Sequence, residues 1–277
     1  MGLSYTLRPQ GKGELADVGV IGIDRLLDFE GRYLKSDSVN GYAPFERAVD
    51  STVLISADRN TPNSGIVVNH DGKKYLITAT HVLGSKAFGT PTDLKVFERH
   101  GADIQVRNLE DMAMIYSTPK ARERNLPTAD VGIFLYDGNL EGVQLVNPLN
   151  PETHVAVAIG YPGIHANVWM PNLHPIVSPG KAIVQERKKQ QLTPYMQKFW
   201  AEHGMLDAPE PIQKILFTGT TSLGNSGGGL FTLDGRLLGV CRGPNGTIGR
   251  ETGLEEFYPV LQVLEAVNPQ YCYLGDI

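Results

Sequence analysis

Cysteine is nearly absent. The 277 residues contain two, Cys241 and Cys272, so at most one disulfide is available. A secreted protein of this size that relied on cross-links would carry several, and the pair reads as reduced thiols in a reducing compartment. Positive charge is not in excess either. The 25 Lys and Arg against 30 Asp and Glu leave a net charge of −5, which argues against nucleic acid as partner, because phosphate contacts need a basic surface. The cluster Arg187-Lys188-Lys189 is short and reads as a solvated loop. No apolar run reaches membrane-spanning length, and none of signal-peptide length follows the first residues. The expectation is an intracellular protein with no membrane partner. Met1-Gly2 followed by Thr6 fits the N-myristoylation pattern, which is too short to carry weight. His70, His100, His154, His165, His174 and His203 show no metal-ligand spacing. There is no Walker-type phosphate loop and no dinucleotide fingerprint, so neither a metal nor a cofactor is expected.

What is present is a succession of short apolar runs punctuated by 31 glycines and 18 prolines. Strands are expected at Val53–Ile55, Gly65–Val68, Lys73–Thr78, Leu94–Glu98, Met112–Tyr116 and Val131–Tyr136. The series resumes at His154–Tyr161, Gly180–Gln185, Ile215–Thr218, Gly228–Thr232 and Arg236–Cys241. Asp71-Gly72 and Asp234-Gly235 stand between apolar runs and mark hairpins. Two helices are expected. One runs over 194–203, capped by Thr193, opened by Pro194 and stopped by Gly204, with Phe199 and Trp200 on its apolar face. The other runs over 259–267, ending before Asn268-Pro269. The pattern is all-β, and the length suits two barrels sharing one interface. The division drawn is a lead-in over 1–45, packing on the first barrel, then barrels over 46–145 and 146–277, with an insertion at 187–213.

Three segments carry chemistry. In Thr78-Ala79-Thr80-His81 a strand ends in small residues and presents a histidine, as a general base that must reach a hydroxyl requires. In Ala129-Asp130-Val131 a carboxylate stands just before an apolar strand. Buried there it needs a partner, and a histidine N–H is one, which would also fix the ring's tautomer. In Gly224-Asn225-Ser226-Gly227-Gly228 glycines flank a serine. They free the backbone so that the N–H groups of Gly224 and Ser226 can converge on one point and hold an oxyanion.

Together these segments resemble the chymotrypsin-like serine peptidases of the trypsin superfamily, and Gly224-Asn225-Ser226-Gly227-Gly228 is the most specific of them. Its Asn is similar to that of bacterial HtrA/Deg-type and related peptidases. The order His, Asp, Ser also fits. The resemblance spans about residues 49–245 and implies two antiparallel six-stranded β-barrels, with a short helical insertion and a C-terminal helix. It implies a serine endopeptidase acting on protein or peptide substrates without a cofactor, through His81, Asp130 and Ser226 and an acyl-enzyme. A histidine base would make activity rise above roughly neutral pH. Digestive members carry Asp where Asn225 stands, to pair with a newly cut N-terminus. The neutral Asn225, and the lack of the usual cleaved start, imply activity without trimming. Thr220 replaces the Asp of trypsin-like pockets, so a preference for Arg or Lys is not expected. Cys241, Arg242 and Gly243 should line the same pocket. Arg242 would either favour an acidic side chain there, pair with Asp130 or point to solvent. The helix over 194–203 either packs on the second barrel or docks a partner through Phe199 and Trp200. The competing functions are a latent binding or scaffolding module of the same fold, and an esterase.

Overall fold

Along the strands, neighbouring residues belong to different cores. Val53 and Ile55 lie in one hydrophobic cluster and Leu54 in another, and Val67 and Leu76 part in the same way from Ile66, Val68, Tyr75 and Ile77. Side chains alternate across a strand, so this pattern means a sheet covered on both faces. That is why the runs read as continuously apolar rather than alternating. The computed structural model describes residues 13–40, 42–57, 61–88, 93–123, 129–147, 153–170, 172–186, 213–243 and 254–271. The helix expected over 194–203, most of the insertion, Cys272 and the first residues of the chain lie outside them.

The lead-in contributes β1 (Ile21–Gly22), β2 (Leu34–Lys35) and β3 (Val39–Asn40), and β1 pairs with β3 in parallel. A helix, Ala43–Asp50, follows. The first half of the chain then forms β4 (Thr52–Ser56), β5 (Asn63–His70), β6 (Lys73–Thr78), β7 (Lys95–His100), β8 (Asp103–Asn108), β9 (Met114–Tyr116), β10 (Gly132–Leu135) and β11 (Val143–Gln144). They make an eight-stranded sheet in the order β8-β7-β4-β5-β6-β10-β9, with β11 added in parallel to β5. Val53, Ile55, Val67, Leu76, Val96 and Phe134 fill its interior. Asp71-Gly72 forms the β5–β6 hairpin loop, with His70 opposite Lys73.

The second half forms β12 (Thr153–Gly160), β13 (Ile176–Glu186), β14 (Gln213–Phe217), β15 (Gly229–Thr232), β16 (Leu237–Gly243) and β17 (Glu255–Pro259). Their order is β12-β15-β16-β17-β14-β13, and β12 pairs back to β13. The six strands therefore close into a barrel. Ala156, Ala158, Ile215, Phe217, Leu230 and Phe257 fill it. A helix, Val260–Tyr271, ends the described chain; it runs past Asn268-Pro269, where the sequence pattern had it stop. Pro259 belongs to β17, opposite Gly239, rather than to the helix. No helix among the described residues is long and apolar enough to cross a membrane.

The lead-in does not pack on the first barrel alone. β2 pairs with Ile176–Val177 of β13, extending the second sheet. The physical reason is length. β13 pairs with β14 only from Ala182 onward, so one edge of its first residues is left for β2. Leu26, Leu34 and Val39 then join a shared core with Ile66 and Ile77 of the first sheet, Val157 and Val240 of the second, and Val260 and Leu264 of the last helix.

The two sheets meet at Gly227. A Cβ there would lie 2.0 Å from Ser64 O and 2.2 Å from Thr78 Oγ1, and its φ of +84° is one that L side chains rarely adopt. Gly227→Ala is expected to cost about 3 kcal/mol of stability, because overlap and left-handed strain act together. A lowered denaturant midpoint at unchanged m-value would measure it. An unaltered midpoint would mean that the seam can part.

Candidate functional site

His81 opens the 3-10 turns over Thr80–Phe88 that follow β6, and Asp130 lies just before β10. The strands β6 and β10 are neighbours, with Gly132 opposite Thr78, so the two residues arrive together. The carboxylate takes both donors of the histidine. His81 Nδ1 is 2.7 Å from Asp130 Oδ2, and the His81 backbone N–H donates to Oδ1 at 3.0 Å. With Nδ1 carrying the proton, Nε2 is left as a base. Burial would raise the Asp130 carboxyl, but the hydrogen bond and charge of His81, with Arg242 beside them, hold it below the usual carboxylate range.

The Asp130 turn is itself clamped. Val131 N–H donates to Ala129 O at 2.7 Å, which folds the chain tightly around Asp130. Thr80 Oγ1 donates to Val131 O at 2.6 Å and Thr118 Oγ1 to Ala129 O at 2.6 Å. Thr80 and Thr118 were not singled out from the sequence. Thr80 stood inside the histidine segment, but a hydroxyl beside a histidine carries no signal of its own.

Ser226 sits between β14 and β15 in a turn gripped from the first sheet. Ser64, at the start of β5, donates its N–H to Ser226 O at 2.8 Å and its hydroxyl to Gly224 O at 2.7 Å. Ser64 Oγ in turn accepts Tyr161 N–H at 3.0 Å. Gly224 has φ of +99°, and a Cβ there would lie 2.3 Å from Tyr161 O. That conformation turns the Gly224 carbonyl toward Ser64. Among the described residues the N–H groups of Gly224 and Ser226 have no hydrogen-bond partner. Two unpartnered donors beside one hydroxyl can receive a developing negative oxygen. Gly227 stands close enough to the end of β6 that a Cβ on it would lie 3.1 Å from Ala79 N, two residues before His81. The serine turn and the histidine turn therefore abut. No hydrogen bond joins Ser226 Oγ to His81. Such bonds are commonly loose until substrate binds.

The residues expected to form a substrate pocket lie around this turn. Thr220 is buried, and its N–H donates to Ser178 Oγ at 2.9 Å. Cys241 is buried in the core of the closed barrel as a reduced thiol; its carbonyl accepts Gly227 N–H at 2.9 Å. Gly243 ends β16 opposite Glu256. Of the alternatives for Arg242, pairing prevails. Its Nη1 is 3.2 Å from Glu256 Oε2, and its Nε is 3.9 Å from Asp130 Oδ2. Glu256 also holds Lys214 Nζ at 3.1 Å. Nothing in the sequence marks Glu255-Glu256 as buried, yet both lie inside β17. Among the described residues no three His, Cys, Asp or Glu side chains cluster as a metal site would.

No curated protein matches the chain. Several solved structures share its fold. One is the inactive form of a serine-to-alanine mutant of Rv3671c from M. tuberculosis H37Rv, at 18% identity and a TM-score of 0.51, covering 82% of this chain and 91% of that one. A second is Deg5, at 16% identity and 0.53, covering 80% and 90%. A third is the HtrA-type protease AlgW with tripeptide, at 18% identity and 0.50, covering 82% and 62%. The trypsin-like peptidase domain family matches residues 63–240, a stretch that holds His81, Asp130 and Ser226 and takes in well over half of the sequence. On that match the chain belongs to the trypsin-like peptidase family and is a serine peptidase.

Proposed function

We propose that the protein is an endopeptidase that cleaves peptide bonds through Ser226, His81 and Asp130 by way of an acyl-enzyme, with residues 46–145 and 146–277 as its two domains. The observation that carries this reading is the 2.7 Å bond from His81 to Asp130, on a turn that abuts the glycine-flanked Ser226. Ser226 Oγ attacks the substrate carbonyl carbon while His81 Nε2 takes its proton. The carbonyl oxygen becomes an oxyanion and accepts the N–H groups of Gly224 and Ser226. His81 then protonates the leaving amine as the C–N bond breaks, which leaves the acyl-enzyme. Water, deprotonated by the same nitrogen, releases the acid and restores Ser226. Asp130 orients His81 and stabilises its cationic form.

The first substrate side chain would enter a pocket bounded by Thr220, Arg242 and Gly243, the Cys241 side chain being turned into the barrel core instead. Arg242 is already matched by Glu256 and Asp130, so the pocket gains no net positive charge from it. A preference for acidic side chains therefore loses its electrostatic basis, and small or neutral ones are favoured.

A fluorophosphonate probe should label the protein covalently, and Ser226→Ala should remove both the label and peptide hydrolysis. A wild-type chain that stays unlabelled would instead make this a latent binding module. Asp130→Asn should lower kcat by about 10⁴-fold, since the neutral amide supports the wrong histidine tautomer; steady-state kinetics on a peptide substrate would reveal a milder loss.

Asp130 also sets a pH dependence of stability. Its folded carboxyl lies below its unfolded value, so its stabilisation is complete above the unfolded value and is lost as pH falls through the folded one. Asp130→Asn should therefore cost stability at neutral pH and progressively less below about pH 4. Thermal midpoints of both proteins against pH check this, and two parallel curves would contradict it.

A further inference from the structure

The lead-in lies outside the stretch that the peptidase family matches, yet it reaches the nucleophile turn. Tyr33 is fully buried, and its hydroxyl donates to Asn225 Oδ1 at 3.2 Å, across 192 residues of sequence. Asn225, itself buried, is the residue that shapes the turn. Its Oδ1 also accepts Ser222 N–H at 3.2 Å, and its own N–H donates to Ser222 O at 3.0 Å. The side chain thus closes the Ser222–Asn225 loop on itself, and the phenol supplies a second donor to the same oxygen. A rotated Asn225 would turn the two peptides that flank it, one carrying the Ser226 N–H and the other the Gly224 carbonyl held by Ser64, so that the Gly224 N–H would shift through its own Cα.

Tyr33 is held in place from several directions. Its N–H donates to Glu14 O at 2.9 Å and its carbonyl accepts Ala16 N–H at 2.8 Å. The His165 ring meets its ring edge-on at 5.0 Å, and His165 Nε2 lies 3.0 Å from Gly13 O. Farther along the lead-in, Glu30 accepts the hydroxyl of Thr218. The next residues, Leu34–Lys35, are zipped to β13. Burial pushes the Tyr33 phenol well above its ordinary value, so the hydroxyl keeps its proton and donates throughout the working range.

We propose that Tyr33 is a positioning residue for the peptidase site: from the lead-in it fixes Asn225 and thereby holds the Gly224 and Ser226 N–H groups in the geometry that receives the oxyanion. This rests on the catalytic reading given above. It makes the lead-in part of the active centre, and it names the group that holds the turn in a chain whose Asn225 carries no charge.

Tyr33→Phe tests it, because the change deletes one oxygen and keeps the buried ring. The expected result is a fall in kcat, and in the rate of fluorophosphonate labelling per folded molecule, of about 3- to 10-fold, with KM within about twofold and the pH profile unmoved. Asn225→Ala should lose activity alone, and adding Tyr33→Phe to it should cost little more. A Tyr33→Phe protein that labels at the wild-type rate overturns the inference while leaving the peptidase reading intact, even if its thermal midpoint falls. Independent, multiplying losses in the double variant overturn it too. A wild-type chain that does not label at all brings down both.

Discussion

The structure depends on the grip of Ser64 on the turn that carries Ser226. This one residue of the first sheet donates its N–H to Ser226 O and its hydroxyl to Gly224 O, and its carbonyl accepts the Thr78 hydroxyl at 2.7 Å. All of these groups are buried, so none has water as a substitute partner, and each bond lost would leave an orphan. The grip dictates the residues around it. Gly227 must lack a side chain because Ser64 O occupies the space. Gly160 must as well, since a Cβ there would lie 2.9 Å from Ser64 Oγ. The Tyr161 N–H that completes the hydroxyl's bonding comes from the end of β12, where the Tyr161 and Trp169 rings meet edge-on at 5.3 Å.

A second constraint is electrostatic and runs between the sheets. Lys214, Glu256, Arg242 and Asp130 form a chain of alternating charge, with links of 3.1, 3.2 and 3.9 Å, and it ends on the 2.7 Å bond from Asp130 to His81. Lys214 and Glu256 are almost wholly buried, and a buried ion pair seldom repays its desolvation through stability alone. Its effect here is positional. Glu256 anchors the Arg242 guanidinium, which stands beside Asp130 without displacing the shorter bond to His81. Arg242 thus links an acid of the first sheet to strands of the second.

Much of this was legible in the sequence. The β5–β6 hairpin announced itself through Asp71-Gly72, and β6 was read with its bounds as they stand, because apolar runs ending in turn residues report locally on strand formation. The histidine, aspartate and serine segments were legible because glycines and small residues mark close backbone approach. What the sequence hid is what tertiary context decides. β8, Asp103–Asn108, is largely exposed, and its apolar pattern is only the two residues Ile104 and Val106, too short to betray its pairing with β7. β17 was hidden by its two acids and its proline. Ser64 and Tyr33 were silent for a different reason. A serine and a tyrosine are ordinary residues whose roles come from partners 160 and 192 positions away. The lead-in packs on the first sheet as expected, but its added pairing with β13 was hidden, because an open edge on β13 cannot be seen until the barrel exists.

The spread of these contacts along the chain has a consequence for biosynthesis. A ribosome that has completed the first sheet has made the imidazole and its carboxylate, but the hydroxyl arrives only at position 226 and the guanidinium at 242. Tyr33 waits for 192 further residues before the amide it binds is made. The nascent polypeptide therefore cannot bring the turns of the two sheets together until its last strands emerge.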